Sequence, residues 1–320
     1  MKKLIECVPN VSEGRDKDKI GQIVRAAQNR GAKILHVDAG YDANRTVITF
    51  SGPPEKVLDA AFALVRKSCE LIDMRAHGGA HPRLGAVDVC PFIPLDGATM
   101  QESAELAKKL AEKVAAELKI PVYLYEEAAS SPERKNLAFI RKGGYENLAQ
   151  KLKDLPPDYG PSDFSPAVQK SGALITGARN ILIAYNVTLN TEDVEKAKQI
   201  AAVLRKNLKA VKTLGWAAPR YNAAQVSFNI TDYKTTSLHD AYEACKTEAA
   251  KLGLEIKGSE IIGLAPEAAL VRTGKKYLSG DGVTHSKEQK IQAAVSALNL
   301  SLHAQFNPEE KIIEYKIKNS

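Results

Sequence analysis

The chain has 320 residues, of which 44% are hydrophobic and 26% are charged, and this composition excludes a largely disordered or fibrous protein. No apolar run approaches the roughly 20 residues of a membrane helix, and the excess of 45 Lys and Arg over 38 Asp and Glu is too scattered for a nucleic-acid surface. We therefore expect a cytoplasmic protein of about two domains, whose positive charge suits an anionic small molecule.

Hydrophobic periodicity predicts the order β-α-β-β-α-β in the first third of the chain, which is the order of ferredoxin-like domains. The predicted strands cover 4–8, 34–37, 44–50 and 86–93. The first predicted helix covers 18–30, and the second begins at the proline pair 53–54. A further helix over 100–118 and a strand over 122–125 extend this unit.

A change of composition separates the two halves. The stretch 154–177 contains four prolines and several glycines, which disfavour a regular element and make it a candidate binding loop. The second half repeats the first pattern, with strands predicted over 181–187, 211–216 and 225–230, helices from 191 and over 238–252, and one or two strands within 254–264. The sequence therefore predicts two ferredoxin-like halves, with a ligand cleft between their sheets.

The densest group of chemically active residues lies in 71–94, where His77 and His81 stand in a loop rich in glycine and proline. Three interpretations are open. The four-residue spacing suits a metal site only on a helix, which Gly78-Gly79 and Pro82 disfavour. The histidines could instead bond the backbone of the loop, or one of them could exchange protons in catalysis. Four well-separated cysteines, without a C-x-x-C pair, argue against a disulfide framework or a structural zinc site.

Two other segments belong beside this loop. Residues 6–14 end the first strand with Asn10, Ser12 and Glu13, and residues 38–46 form a polar turn that ends at Arg45. Alone, each is explained by helix capping or by a hairpin turn. In a β-α-β-β-α-β unit the first and last strands can pair antiparallel, which would place the end of the first strand near the loop before the last.

Four segments carry a resemblance to a known family. They read Glu-Cys-Val-Pro-Asn-x-Ser-Glu-Gly from residue 6, Asp-Ala-Gly-x4-Arg-Thr from 38, His-x-Gly-x-His-Pro-Arg-x-Gly-Ala-x-Asp-Val-Cys-Pro-Phe-Ile-Pro from 77, and Pro-Val-Tyr-Leu-Tyr-x-Glu-Ala-Ala from 121. These segments resemble the glutamate formimidoyltransferases, which also form the formiminotransferase half of a bifunctional formiminotransferase-cyclodeaminase. The similarity continues to residue 315 and covers essentially the whole chain.

The resemblance implies transfer of a formimino group between N5 of tetrahydrofolate and the amino group of glutamate, in histidine catabolism. It implies formiminotransferase N-terminal and C-terminal subdomains at 1–178 and 179–320, no cyclodeaminase domain, a folate tunnel between the two sheets, and a homodimer. Tetrahydrofolate enters as a substrate, and no metal, nucleic acid or membrane is expected.

The family's catalytic histidine falls on His81, which could take a proton from the attacking amine and return it to the leaving nitrogen. Its folate-binding stretch falls on 160–172, from which we expect contacts by Gly160, Pro161, Ser162, Phe164 and Gly172. Substrate carboxylates require cationic partners. The candidates for these partners are Arg45, Arg83 and Arg179, and further substrate or folate contacts are expected from Asn10 and Asp38.

The chain departs from the family pattern at three places. Residue 80 is Ala where the family usually has Glu, the loop 164–172 looks a few residues longer, and an insertion near 205–212 is missing. Two alternatives to formimino transfer stay open, and the missing carboxylate beside His81 favours the first of them. One is a related enzyme acting on another one-carbon form, such as 5-formyltetrahydrofolate. The other is a folate-binding protein without turnover.

Overall fold

The computed structural model describes residues 3–280 and 283–319. The chain separates into two compact units, Met1–Asn180 and Ile181–Ser320. Each unit combines one β-sheet with helices, so the predicted mixed α/β class is confirmed. Within the described ranges, no helix combines the length and the apolar run needed to cross a bilayer.

The first unit follows the predicted order and then adds short elements. Its elements are β1 (Ile5–Cys7), β2 (Asn10–Val11), α1 (Lys17–Gln28), β3 (Lys33–Gly40), β4 (Arg45–Gly52), α2 (Pro54–Leu71), β5 (Val87–Pro94), α3 (Met100–Leu118), β6 (Val122–Glu126), α4 (Leu137–Arg141), α5 (Leu148–Asp154), α6 (Pro166–Ser171) and β7 (Leu174–Ala178). Local signals explain the helix starts. A proline begins α2, and a Thr99–Glu102 capping box begins α3.

The strands of the first unit form a ferredoxin-like sheet that is extended at one edge. The short strands β1 and β2 share the position between β4 and β5, and β3 pairs with the outer side of β4. All of these pairs are antiparallel, which confirms the predicted pairing of the first strand with the last. Beyond β5, the strands β7 and β6 add to the sheet in parallel.

The two faces of this sheet are covered differently. Helices α1, α2 and α3 pack their apolar sides on one face and form the main core with buried residues such as Ile5, Phe50 and Leu64. On the opposite face, α4, α5 and α6 cover β6, β7 and part of β5, around Tyr123, Ile175 and Val89. The rest of that second face is therefore where the sheet can present polar side chains.

Two predictions in the first unit are wrong in detail. The stretch 154–177, predicted to lack regular elements, contains α6 and most of β7. Pro166 takes the first turn of α6, where a missing N–H costs nothing, and β7 fills the gap between β5 and β6. The polar turn predicted over 38–46 is shorter than expected, because β3 runs on to Gly40 and places Asp38 within a strand.

The second unit has the ferredoxin-like arrangement without the added strands. Its elements are β8 (Ile183–Leu189), α7 (Val194–Asn207), β9 (Val211–Ala218), β10 (Ala223–Ile230), α8 (Leu238–Lys251), β11 (Ile256–Ile262), α9 (Glu267–Tyr277), α10 (Lys287–Ala297), α11 (Pro308–Lys311) and α12 (Ile313–Lys318). The strand order β11-β8-β10-β9 is antiparallel throughout. The region 254–264 thus contributes one strand, and helices α9 to α12 follow it.

Close packing of α9 against α10 depends on Gly274. A Cβ at this position would lie 1.7 Å from the carbonyl oxygen of Lys290. We expect Gly274→Ala to lower the free energy of unfolding by about 1–3 kcal/mol, because the two helices must separate. Gly21→Ala in α1 is the matched control. Its Cβ would meet only the flexible Arg25 side chain, so the better helix propensity should stabilise the protein by about 0.5–1 kcal/mol. Denaturant unfolding measures both, and a Gly274→Ala protein as stable as the wild type would contradict this packing.

Candidate active site

The strand register of the first unit collects polar side chains on the face opposite α1–α3. Asn10 and Asp38 both lie directly across from Val47, one on each side of β4. Residues directly opposite each other in a sheet share a face, and Arg45 shares it too because it lies two residues before Val47. We call this side, which bears Asn10, Asp38, Arg45 and Asp88, the polar face.

The three segments singled out in the sequence meet at one end of this sheet. The side chain of Asn44 accepts from the Gly14 backbone N–H at 2.9 Å and donates to the Gly78 carbonyl at 2.9 Å. The hydroxyl of Ser12 donates to the Gly85 carbonyl at 2.7 Å. One asparagine and one serine therefore tie residues 6–14 and 38–46 to the loop that carries His81. The antiparallel pairing predicts this for residues 6–14.

Asp88 is the centre of a buried charged group beside that loop, which we call the Arg–Asp–Arg cluster (Arg45, Asp88 and Arg141). Its side chain is fully buried. One carboxylate oxygen, Oδ2, accepts from Arg45 Nη1 at 2.5 Å and from Arg141 Nη2 at 2.7 Å. The other, Oδ1, accepts from the Leu84 backbone at 2.9 Å and from Arg141 Nε at 3.2 Å. Burial raises the pKa of Asp88, but Arg141 and Arg45 outweigh this and lower it to about 2.

His81 is held in one tautomer. Its Nδ1 lies 2.7 Å from the carbonyl oxygen of Pro82, and because a carbonyl only accepts, Nδ1 carries the proton. The lone pair is therefore on Nε2. Desolvation of the ring, followed by the charges of Arg45 and Arg141, lowers the pKa of His81 to about 3, and Asp88 only partly opposes them. His81 is thus neutral at pH 7 and presents a proton acceptor at Nε2.

The depressed pKa of His81 predicts a stability profile. In the unfolded chain a histidine takes up its proton near pH 6.5, whereas the folded protein resists until about pH 3. Between these values the unfolded state binds one more proton, so stability falls as pH falls. His81→Asn removes this loss, and its free energy of unfolding should improve relative to wild type between about pH 7 and about pH 4.5. Denaturant unfolding across this range checks it, and a constant difference would contradict it.

His77 has a different environment. Its Nε2 lies 3.0 Å from the Asn44 carbonyl oxygen, and its Nδ1 accepts from Arg83 Nε at 3.1 Å. Both ring nitrogens are therefore occupied by the loop. Burial, partly opposed by the bond to Asn44, lowers the pKa of His77, so the ring stays neutral. This geometry makes His77 a residue that shapes the loop rather than a second proton carrier.

Arg83 is also bonded within the first unit. Its guanidinium donates to the His77 carbonyl at 2.8 Å and to the carboxylate of Glu146 at 2.9 Å. The carbonyl oxygen of Arg83 accepts from the Tyr145 backbone N–H at 2.9 Å. The arginine thus connects the His81 loop to the segment that follows α4.

The stretch 160–172 reaches the His81 loop at its far end. Gly172 has a φ of +69°, and a Cβ there would lie 2.3 Å from the Leu84 carbonyl oxygen, so only glycine fits. Gly160 has a φ of +88° and packs in the same way on the Ile120 carbonyl. Phe164 lies against Tyr145, with ring centroids 6.4 Å apart. Pro161 is half-buried and Ser162 is exposed.

Arg179 is outside the Arg–Asp–Arg cluster, although its charge acts on the buried Tyr125, whose hydroxyl also interacts electrostatically with Arg45 and Arg141. It follows β7, at the end of the strand opposite to the end near Asp88, and the rise from Ile175 to Arg179 is roughly 13 Å. Its guanidinium donates to the Asn180 carbonyl at 2.9 Å. Burial raises the pKa of the Tyr125 hydroxyl to about 12, although the charge of Arg179 and a hydrogen bond to it oppose this.

Two residues of the site, Asp88 and Arg141, are not predicted from the sequence. Asp88 interrupts the apolar stretch of β5, and a carboxylate inside a buried strand is a usable signal because it requires cationic partners. Arg141 ends a short helix in an unremarkable segment, 53 residues from its partner, and offers no such signal. Within residues 3–280 and 283–319, no group of three or more His, Cys, Asp or Glu side chains could hold a metal ion.

Comparison with known proteins matches both halves of the chain to one family. The formiminotransferase domain, N-terminal subdomain, matches residues 4–179, and the formiminotransferase domain matches residues 184–318. A glutamate formimidoyltransferase of Thermoplasma acidophilum is 45% identical, over 92% of this chain and 99% of that protein. One from Streptococcus pyogenes is 40% identical, over 90% of this chain and 97% of that protein.

A longer relative matches as well. The formimidoyltransferase-cyclodeaminase of Rattus norvegicus is 44% identical over the whole of this chain, and the chain spans 61% of the length of that protein. Matched family domains in both units, together with relatives of similar length at 40% identity and above, establish the relationship. The chain belongs to the formiminotransferase domain family.

Proposed function

We propose that the protein transfers the formimino group between 5-formimidoyltetrahydrofolate and L-glutamate, with His81 as the general acid and base. The observation that carries this proposal is the hydrogen bond from Nδ1 of His81 to Pro82, which leaves the lone pair on Nε2, in a ring that desolvation and the charges of Arg45 and Arg141 keep neutral. Relatives of nearly the same length are named glutamate formimidoyltransferases, which supports the same reaction here.

The chemistry needs one proton carrier. The amine of glutamate attacks the amidine carbon of the formimino group, and Nε2 of His81 takes the proton that the new C–N bond releases. The resulting imidazolium then returns the proton to N5 of the folate as the bond between the carbon and N5 breaks. The products are tetrahydrofolate and N-formiminoglutamate, and the same steps in reverse regenerate the substrates.

We also propose positions for the folate. Its pterin lies near His81, within reach of Asn10, Asp38 and the stretch that includes Gly160, Pro161, Ser162, Phe164 and Gly172. For a tail carboxylate we propose Arg179, because a guanidinium matches the geometry of a carboxylate. We propose that the N-terminal subdomain ends at residue 178 and that the C-terminal subdomain begins at residue 179. A homodimer and a cytoplasmic location stay predictions.

The residue at position 80 is the reason to test one alternative donor. Ala80 has no carboxylate to orient His81, and its backbone N–H donates to the Asp42 carbonyl at 3.2 Å. A site without that charge could act on 5-formyltetrahydrofolate instead, whose transferred group is a neutral formamide carbon. The two donors therefore need to be compared directly.

The test supplies each donor with and without L-glutamate and follows release of tetrahydrofolate. We expect release from 5-formimidoyltetrahydrofolate that requires glutamate, and little or none from 5-formyltetrahydrofolate. Faster turnover of the formyl compound would show that 5-formyltetrahydrofolate, and not 5-formimidoyltetrahydrofolate, is the donor. Saturable binding of both folates without turnover would show that the protein binds folate but is not an enzyme.

A further inference from the structure

The Arg–Asp–Arg cluster is not a balanced ion pair. Arg45 and Arg141 share the single carboxylate of Asp88, and their side chains are only 10% and 14% exposed. In the same unit, Arg134 and Asp158 form a one-to-one pair at 2.6 Å with similar burial. Burying a charge without a partner is costly, so the surplus positive charge of the cluster calls for an anion.

The donors of the cluster are also incompletely used. A guanidinium has five N–H groups. Arg45 donates one to Asn10 Oδ1 at 3.0 Å and one to Asp88, and Arg141 donates two to Asp88. Three N–H groups on each arginine therefore have no protein acceptor in the described part of the chain. Asp88 cannot supply more acceptors, because each of its oxygens already accepts two hydrogen bonds.

The position of the cluster selects the kind of anion. The Leu84 N–H that binds Asp88 belongs to the His81 loop, three residues after His81 itself. In an amino acid the carboxylate nearest the reacting amine is one carbon away from it. The tail carboxylates of a folate are separated from N5 by an aminobenzoyl group, which places them too far from a reaction at His81.

We propose that Arg45 and Arg141 together bind the α-carboxylate of the amino-acid substrate, and that Arg141 is thereby a specificity-determining residue for the acceptor. This inference rests on the proposed function. The bound carboxylate completes the cluster with a second negative charge and holds the amine beside Nε2 of His81. It also neutralises the surplus positive charge that opposes protonation of His81. His81 therefore takes up a proton only when the amino-acid substrate is bound.

Binding of L-glutamate to Arg141→Gln tests the assignment without requiring turnover. Loss of a charge-assisted, bidentate contact should weaken binding and raise the KM for glutamate by roughly 10- to 100-fold. Affinity for 5-formyltetrahydrofolate should stay within about 2-fold, since the folate tail is not the ligand. Arg141→Lys keeps the positive charge but lacks the bidentate guanidinium. Its affinity for glutamate should therefore lie between those of wild type and Arg141→Gln. Arg66→Gln, which breaks an exposed pair with Glu117 on the helix-covered side, is the matched control.

A substrate analogue identifies the carboxylate. 4-Aminobutyrate lacks the α-carboxylate of glutamate, so Arg141→Gln should bind it no worse than wild type does. An equal loss for both compounds, or unchanged glutamate affinity, would overturn the inference. If Arg141→Gln lost affinity only for the folate, Arg141 would bind the folate tail and not the amino acid. Arg141-dependent glutamate binding in a protein without transferase activity would sustain the inference and contradict the proposed function.

Discussion

His81→Asn should lose transferase activity while keeping its fold and its folate affinity. General acid and base catalysis by one side chain contributes about 10²–10⁴-fold, so kcat should fall by at least about 100-fold. His81 is partly exposed and makes one side-chain hydrogen bond, to Pro82, so its loss should shift the free energy of unfolding near pH 7 by less than about 1 kcal/mol. The measurement is kcat for formimino transfer at saturating folate and glutamate.

The control for this variant is His239→Asn on α8, which removes a histidine from the second unit. It should retain wild-type kcat. Equilibrium binding of 5-formyltetrahydrofolate to both variants shows whether the folate site is intact. A His81→Asn enzyme that keeps more than about a tenth of the wild-type kcat would reject His81 as the proton carrier.

Asp88→Asn should be among the most destabilising single changes in the first unit. The carboxylate is fully buried and bonded to two guanidinium groups. A neutral amide cannot balance either charge, and its NH₂ group would face other donors. Removing one partner of a buried ion pair costs about 3–5 kcal/mol. Denaturant unfolding should show a loss of that size. The control is Asp59→Asn, which removes an exposed ion pair between Asp59 and Lys113 at 3.9 Å and should change the free energy of unfolding by less than about 0.5 kcal/mol.

A double variant separates charge imbalance from a simple packing defect. In Asp88→Asn, Arg45 and Arg141 repel each other with no carboxylate between them. Adding Arg141→Gln removes one of the two charges, so the double variant should be more stable than Asp88→Asn alone. If the two losses simply add, the electrostatic account of the cluster is wrong.

The arrangement of strands is predictable from the sequence because each half repeats a strong hydrophobic period. Apolar residues at helical spacing in α1 and α2, and alternation in β4, are enough to identify β-α-β-β-α-β and its antiparallel pairing. The added strand β7, which lies between β5 and β6, is harder to recognise. Its segment follows four prolines, and it becomes a strand because β5 and β6 leave a place between them, which is a long-range condition.

The site is predictable where its residues are close in sequence. The glycines around His77 and His81 show that this loop is not a helix, and strand pairing places the end of the first strand beside it. The division of roles within the loop is a matter of three-dimensional contacts. Only the hydrogen bonds show that His77 has both nitrogens occupied while His81 keeps a lone pair at Nε2.

The charges around His81 come from distant parts of the chain. Arg45 precedes Asp88 by 43 residues, and Arg141 follows it by 53. No local pattern links a short helix after β6 to the start of β5. The carboxylate in a buried strand could have indicated that cations converge on it, but not which ones, since the sequence offers many arginines and lysines.

A doubly labelled donor tests formimino transfer most directly. In 5-formimidoyltetrahydrofolate labelled with ¹³C at the formimino carbon and ¹⁵N at its imino nitrogen, attack by glutamate breaks only the bond from that carbon to N5. Both labels should therefore appear together in N-formiminoglutamate, with release of unlabelled tetrahydrofolate. Transfer of ¹³C without ¹⁵N, or release of ¹⁵N as ammonia, would contradict the proposed reaction.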